Sequence, residues 1–313
     1  MADFRSKAPI YRQYDHMVGL QTLVGPEQGS AAVLRLLDQQ QWIAATVDSN
    51  SRFCAIDPYQ GVRHLVFEAA RNLACVGATP LGLTNGLNFG SPDVPEVFES
   101  LAQTLEGLAS ACVDMEIPVT GGNVSLYNQT GTQAIPATPV IGMVGALPPL
   151  QQAPRRGFPR AGLAVYVLGQ GPHSLAGSAW AEIVSASQCR GPLAVIDVNL
   201  ERSLGQVLPQ MWQEQTLASA HNINQGGLAV ALAEACLQRD VGVEVTGHHD
   251  TNFWFGEGGG RVLVSLDPKH EARALALWDQ QRIAALRLGT TGGEALVLGN
   301  GRPLPLPQLQ LAH

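Results

Sequence analysis

Apolar residues along this chain recur with two periods, and the switches between them predict the elements. AAVLRLL (31–37) and WIAATV (42–47) are short apolar runs separated by a polar turn, and predict neighbouring strands. From Gly61 to Gly77, Val62, Leu65, Val66, Ala69, Ala70, Leu73 and Val76 fall on one face of a helix. Asp93 with Glu96 resembles a capping box, and Val94, Phe98, Leu101, Leu105, Leu108 and Cys112 continue as an apolar stripe, so a second helix is expected there. PLGLTNGLNFGSPD (80–93) is expected as a strand running into a loop, and TPVIGMVGAL (138–147) as a strand.

LPPLQQAPRRGFPRAG (147–162) breaks the pattern with proline and polar residues, which places a domain boundary there: 1–150, then 151–313. Beyond it, LAVYVLG (163–169), RVLVSL (261–266) and EALVLG (294–299) predict strands. WAEIVSA (180–186) and about 200–215 predict helices, and SAHNINQGGLAVALAEACL (219–237) a polar loop opening onto an apolar helix. Strands and helices mix without a regular βαβ repeat, so the fold class expected is α+β, with mixed sheets.

Composition narrows the function. With 313 residues, 45% hydrophobic, and no apolar run long enough to span a bilayer, a soluble two-domain protein without membrane partners is expected. The start, MADFRSKAPIYRQ, has no signal-like apolar region, and five scattered cysteines without a CxxC pair suit free thiols in the cytoplasm. A net charge of −7 argues against nucleic-acid binding. Lys7 and Lys269 are the only lysines against 17 arginines, so any phosphate must be held by arginines, backbone amides or metal.

Three segments have a Gly/Asn/Ser cluster after an apolar strand: TNGLNFG (84–90), TGGNVS (120–125) and NINQGG (222–227). Glycine permits positive φ and close approach to main-chain N–H groups, while Asn and Ser can donate to phosphate or offer oxygen to Mg²⁺. Such clusters also form plain turns, and neither a Walker A loop nor a GxGxxG fingerprint is present. VDSNSRFCAIDPYQG (47–61) is read as a loop carrying Asp48, Arg52, Asp57 and Tyr59. Asp57-Pro58 serves equally as a helix start. Among the histidines, His64 lies within a helix, His221 opens a polar loop and is the best acid–base candidate, and His248-His249 suits an exposed turn.

YDHMVG (14–19), DPYQGVRHLVFEAARNLACVGATPLGLTNGLNFGSPDVPEVF (57–98) and PVTGGNVSLYN (118–128) resemble the C-terminal half of phosphoribosylformylglycinamidine synthase. The similarity runs on through AHNINQGGLAVALAEACL, FGEGGGRVLVSL and LGTTGGEALVLG, covering nearly the whole chain in order. It implies an aminoimidazole-ribonucleotide-synthetase-like N-domain, contributing half of a shared β-barrel, followed by an α/β sandwich C-domain. Selenophosphate synthetase and thiamine monophosphate kinase are more distant relatives. The implied reaction is an ATP- and Mg²⁺-dependent amidine-forming ligation in purine biosynthesis, using ammonia from a glutaminase subunit. By position, the resemblance implies ATP contacts at Asn85 and Gly122, a Mg²⁺ ligand at Asn123 and a substrate contact at Ser125.

The chain also departs from the pattern. Ser30, Asn85, Asn222 and Gln225 stand where the family has acids, and three glycines follow Glu257. The family's catalytic histidine, ATP-binding lysine and most Mg²⁺ carboxylates belong to an N-terminal half that nothing here resembles, so no catalytic residue is expected in this chain. It reads as a separately encoded half or a fragment, which needs an N-terminal half as partner. A non-catalytic scaffold of the same fold, and a homodimeric ATP-dependent kinase or synthetase, are the alternatives; pairing through the N-domain would also allow a homodimer.

Overall fold

The computed structural model describes residues 5–36, 40–170, 173–184, 191–247 and 249–313. Leu37, Ser185, Ala186 and His248, named above, and Cys189, one of the five cysteines, lie outside the described residues.

The first sheet and its helices run from α1 (Ala8–Tyr11) through β1 (Thr22–Val24), β2 (Ala32–Arg35) and β3 (Trp42–Asp48) to α2 (Ser51–Ile56) and α3 (Pro58–Cys75). Then come β4 (Thr79–Asn88), α4 (Pro95–Met115), β5 (Val119–Ser125), the small ribbon β6 (Gln129–Thr130) and β7 (Gln133–Ala134), and β8 (Thr138–Leu147). The sheet order is β1-β2-β3-β8-β4-β5. Every pairing is antiparallel except β4 with β5, whose crossover is α4. A parallel pair needs such a crossover, since no tight turn can return the chain to the same end.

Asp57 caps α3, its side chain accepting from Gln60 N at 2.9 Å, and Pro58 occupies the first turn, where a missing N–H costs nothing. Segment 51–56, expected as loop, is helix α2, capped by Asn50 accepting from Phe53 N. Helix α3 is buried almost all round, because it lies between the sheet, α4, α6 and β10. His64, Arg71 and Asn72 are therefore buried along with the apolar face that periodicity marks.

Helix α4 differs from expectation twice. Its N-cap is Val94, without a side-chain bond, while the Asp93 carboxylate accepts from Ser91 Oγ at 3.2 Å. Its buried face is Thr104, Gly107, Leu108 and Ala111, rotated from the apolar stripe, so that Phe98 is 58% exposed and Leu105 46%. Gly107 fixes this rotation: a Cβ there would stand 2.3 Å from the Tyr59 carbonyl oxygen, so only glycine lets the helices come this close.

The second sheet follows the irregular stretch 148–163. Its elements are β9 (Ala164–Leu168), α5 (Ala179–Val184), α6 (Val198–Gln213), β10 (Leu217–Asn222), α7 (Gly227–Leu237), β11 (Val243–Val245) and α8 (Thr251–Phe255). The chain continues through β12 (Val262–Leu266), α9 (Glu271–Gln280), β13 (Ala285–Thr291), β14 (Ala295–Leu298), β15 (Leu304–Pro305) and α10 (Leu306–Ala312). The order is β10-β12-β9-β13-β11-β14-β15, with β11 and β14 parallel. Residues 219–222, expected as loop, form the end of strand β10.

Period-two alternation sends the side chains of β9 to two cores. Ala164, Tyr166 and Leu168 pack with Leu204, Leu208, Met211 and Trp278, while Val165 and Val167 pack with Leu228, Leu232 and Trp254. Helices thus cover both faces of this sheet. The first sheet is covered on one face only, by α3, whose partners there are Val33, Ala44, Ile141 and Met143. Its other face is open: Val47 is 73% exposed, Leu81 58% and Val144 44%. The fold is a mixed α+β one, as the sequence predicts.

Candidate functional site

Two of the three polar segments are strands and lie side by side. In β4 and β5, Thr84 pairs with Gly121, Asn85 with Gly122, Gly86 with Asn123 and Asn88 with Ser125. The four positions carried over from the resemblance therefore meet on one ladder. Strand β5 is the edge of the sheet and is exposed along most of its length, so its outward N–H and C=O groups are unpaired by any strand among the described residues.

The same ladder divides them by face. Leu83 and Leu87 point into the core, so Asn85 between them faces the helical side, and Gly122 lies under its amide. A Cβ on Gly122 would stand 2.8 Å from Asn85 Oδ1 and 2.9 Å from Nδ2. Gly122 is thus glycine for room, and not for the left-handed backbone that the sequence suggests, since its φ is not positive. Asn123 faces the other way, toward the open face. Ser125 shares that side by alternation, and its hydroxyl donates to Asn128 Oδ1 at 3.2 Å, while Asn128 Nδ2 donates to the Ser125 carbonyl at 2.8 Å.

Magnesium prefers one or two carboxylates and retained waters or phosphates. The donors on this ladder are neutral amides and hydroxyls, and no group of three His, Cys, Asp or Glu residues among the described ones could hold a metal. The described residues on this ladder do not by themselves fit a Mg²⁺ site.

The third segment lies elsewhere, in a closed polar network between α3, β3, α6 and β10. Gly226 and Gly227 do take left-handed φ, of 80° and 67°, where β10 turns into α7. Arg71, buried on α3, pairs with the Glu201 carboxylate and donates through Nε to Asn222 Oδ1 at 3.0 Å. Asn222 Nδ2 donates to Asn72 Oδ1 at 2.9 Å, and Asn72 Nδ2 to Asp48 Oδ1 at 2.8 Å. Ser30 Oγ accepts from Asn222 N at 3.2 Å. Asn222 therefore gives one bond and takes another through its amide, which a carboxylate could not do. Gln225 stands half-buried on the adjoining turn.

Glu257 accepts two backbone N–H bonds through Oε1, from Ala179 and Gly226, both 2.8 Å. Burial outweighs these bonds and pushes its pKa up to about 7. Asp48 is likewise pushed up to about 7, by burial first and then by the charge of Glu68. The glycines after Glu257 have a steric reason here: a Cβ on Gly259 would lie 2.5 Å from Glu201 Oε1.

The remaining candidates take structural places. Arg52 donates to Gly177 O at 3.1 Å and pairs with Glu182 at 2.8 Å. Tyr59 packs under the Arg63 guanidinium. His64 Nε2 lies 2.9 Å from Ala194 O, and burial pulls its pKa down to about 4, so it is a neutral donor. His221 is on a buried strand, not in a loop, with Nε2 3.2 Å from Glu234 Oε2, and burial lowers its pKa too. His249 stacks on Phe253. Sequence reasoning missed Arg71 and Glu201. The available signal was Arg71 beside the apolar Ala69–Ala70–Leu73 row.

Comparisons with known proteins follow the two sheets. The family described as AIR synthase related protein, N-terminal domain, matches residues 28–147, and its C-terminal domain matches residues 160–298. Phosphoribosylformylglycinamidine synthase subunit PurL of Synechococcus sp. (strain JA-3-3Ab) is 43% identical, over 98% of this chain and 43% of that protein. Thermotoga maritima PurL complexed with AMPPCP is 25% identical, with a TM-score of 0.63, over 92% of this chain and 42% of that one. Thermotoga maritima PurL complexed with FGAR shares the fold, with a TM-score of 0.72 at 15% identity over 94% of this chain and 50% of that one. The chain spans less than half the length of the curated relatives it matches. With both domain families matched in order along the chain, this protein belongs to the AIR synthase related protein family.

Proposed function

We propose that the chain is the C-terminal half of a phosphoribosylformylglycinamidine synthase, and that it works only when joined to an N-terminal half. Identity of 43% along nearly all of this chain, but along only 43% of the PurL relative, is the observation that carries this reading. The relevant unit comprises domains 1–150 and 151–313. The reaction is the ATP-dependent ligation of ammonia to a formylglycinamide: ATP phosphorylates the amide oxygen, ammonia adds at that carbon, and phosphate leaves with the oxygen.

On this chain, the open edge of β5 would supply backbone amides to ATP at Gly122, with Asn85 supporting it. Ser125, once released from Asn128, would meet the substrate. Asn123 would offer an oxygen to Mg²⁺ only alongside carboxylates from the N-terminal half. The uncovered apolar face of the first sheet, around Val47, Leu81 and Val144, would pack against the matching face of that half. A glutaminase subunit would supply ammonia, and the setting would be cytoplasmic; among the described residues no helix is long and apolar enough to cross a membrane.

Titration calorimetry with ATP–Mg²⁺, with and without an added N-terminal half, tests this. Binding and turnover should require both, and full turnover by this chain alone would overturn the partner requirement. A second reading, a non-catalytic scaffold of the same fold, is favoured by one observation: Ser30 and Asn222 are committed to structural bonds. Under it, Ser125→Ala would leave turnover of the reconstituted pair unchanged. Under the leading reading, turnover falls about tenfold or more, the scale of one lost substrate hydrogen bond.

A further inference from the structure

Where the 148–163 stretch passes β1 and the end of α7, a cavity of about 360 Å³ opens between the two sheets' domains. Tyr11, Pro26, Glu27, Gln28 and Pro154 form part of its wall, and Arg155 and Arg239 both line it. Neither arginine has an ion pair or side-chain hydrogen bond among the described residues. The neighbouring Arg156 is held differently, pairing with Glu234 at 3.1 Å. Burial and the charge of Arg239 both lower the Arg155 pKa, so the two guanidiniums lie close enough to repel.

The nearby carboxylates are occupied. Glu27 accepts from Ser6 Oγ at 2.9 Å, Lys7 N at 2.6 Å and Tyr11 Oη at 3.2 Å. Asp240 accepts from Gln310 Nε2 at 2.6 Å. The walls are also fixed in place. Glu27 holds a left-handed φ of 64°, and its carbonyl accepts from Arg156 Nε at 2.9 Å and Gln238 Nε2 at 2.6 Å. Arg156 N bonds Gln28 O at 3.1 Å, and Ala220 N bonds Arg155 O at 3.0 Å. Two arginines against the single carboxylate of Glu27, which is itself held by three donors, leave the cavity with a net positive charge that favours an anion.

We infer that Arg155 and Arg239 form a binding site for a small phosphate-bearing anion. Guanidinium forks match phosphate oxygens in pairs, and the volume falls at the small end of the roughly 300–1,000 Å³ typical of ligand sites, which suits a phosphorylated sugar or a diphosphate. Bound phosphate removes the repulsion between the two arginines. The site involves none of the β4–β5 residues and is independent of the reading given to them.

The test is thermal unfolding of the full chain in inorganic pyrophosphate, against sodium chloride at equal ionic strength. Pyrophosphate should raise the midpoint saturably, and chloride should not. Arg155→Ala and Arg239→Gln should each weaken the half-saturating concentration about tenfold, while Arg273→Ala, at an exposed pair with Glu214, leaves it unchanged. Without ligand at low salt, Arg239→Gln should unfold no lower than the parent, because it relieves repulsion. An unchanged pyrophosphate response in Arg239→Gln, an equal response to chloride, or no response at all overturns the inference. Arg239 is exposed, so its variant carries the test even if Arg155→Ala folds poorly.

Discussion

Glu257 shows how one side chain ties stability to pH. It is 3% exposed, and its folded pKa of about 7 lies above the ordinary value of 4.5. Between those values the unfolded chain has lost this proton and the folded chain keeps it. Its contribution to stability is therefore complete below about pH 4.5 and is lost as pH rises through 7. Glu257→Gln keeps an oxygen acceptor for Ala179 N and Gly226 N without a charge to bury. Its unfolding midpoint should exceed the parent's at pH 8 and converge on it at pH 5, as chemical denaturation at the two pH values would show. Asn222→Asp works in the opposite direction. It removes the donor to Asn72 Oδ1 and should cost about 1–3 kcal/mol at pH 8, the scale of an unsatisfied buried group. An unchanged midpoint would mean that the network tolerates acid, and that the asparagine is not needed for its bonds.

At the scale of elements, most of what periodicity predicts is present: strands β2, β3, β8 and β12, and helix α3. Local chemistry made these legible, since alternation and the Asp57-Pro58 cap act within a few residues. The misread elements have non-local causes. TGGNVS looks like a loop by composition but is held as a strand by its ladder to β4, and HN of 221–222 by its ladder to β12. The stripe on α4 is real, but Gly107 turns another face toward α3, which no periodicity could show. The proposed site was half legible. Its four positions came from the resemblance, yet their division over two sheet faces follows only from register. Arg71 and Glu201 were hidden because one lies on α3 and the other on α6, 130 residues apart. Removing either alone, as Arg71→Met or Glu201→Leu, strands a buried charge and should cost about 3–5 kcal/mol. The double variant should lose far less than the sum, which a double-mutant cycle in urea would measure.

For the whole molecule, the contrast between the two sheets matters most. The second is covered on both faces; the first leaves Val47, Leu81 and Val144 in solvent. Val47→Lys with Val144→Lys should leave the unfolding midpoint within about 0.5 kcal/mol of the parent, since neither is buried. It should also abolish association with an N-terminal half or a second copy in sedimentation velocity. Retained association would place the interface elsewhere, with the exposed stripe of α4 next to examine.

The network around Arg71 bears on what happens when the backbone is cut. Its bonds join Ser30, Arg71 and Asn72 to Glu201 and Asn222, and so cross the stretch 148–163 several times. Gln151 and Gln152 are exposed within that stretch, whereas Arg156 and Phe158 are tied by main-chain bonds to Gln28 and Ala235. A protease should therefore nick the chain near residue 151 before anything else in that stretch. The two pieces should then travel together through gel filtration and separate only in denaturant, so the covalent link is dispensable once the polar network has formed.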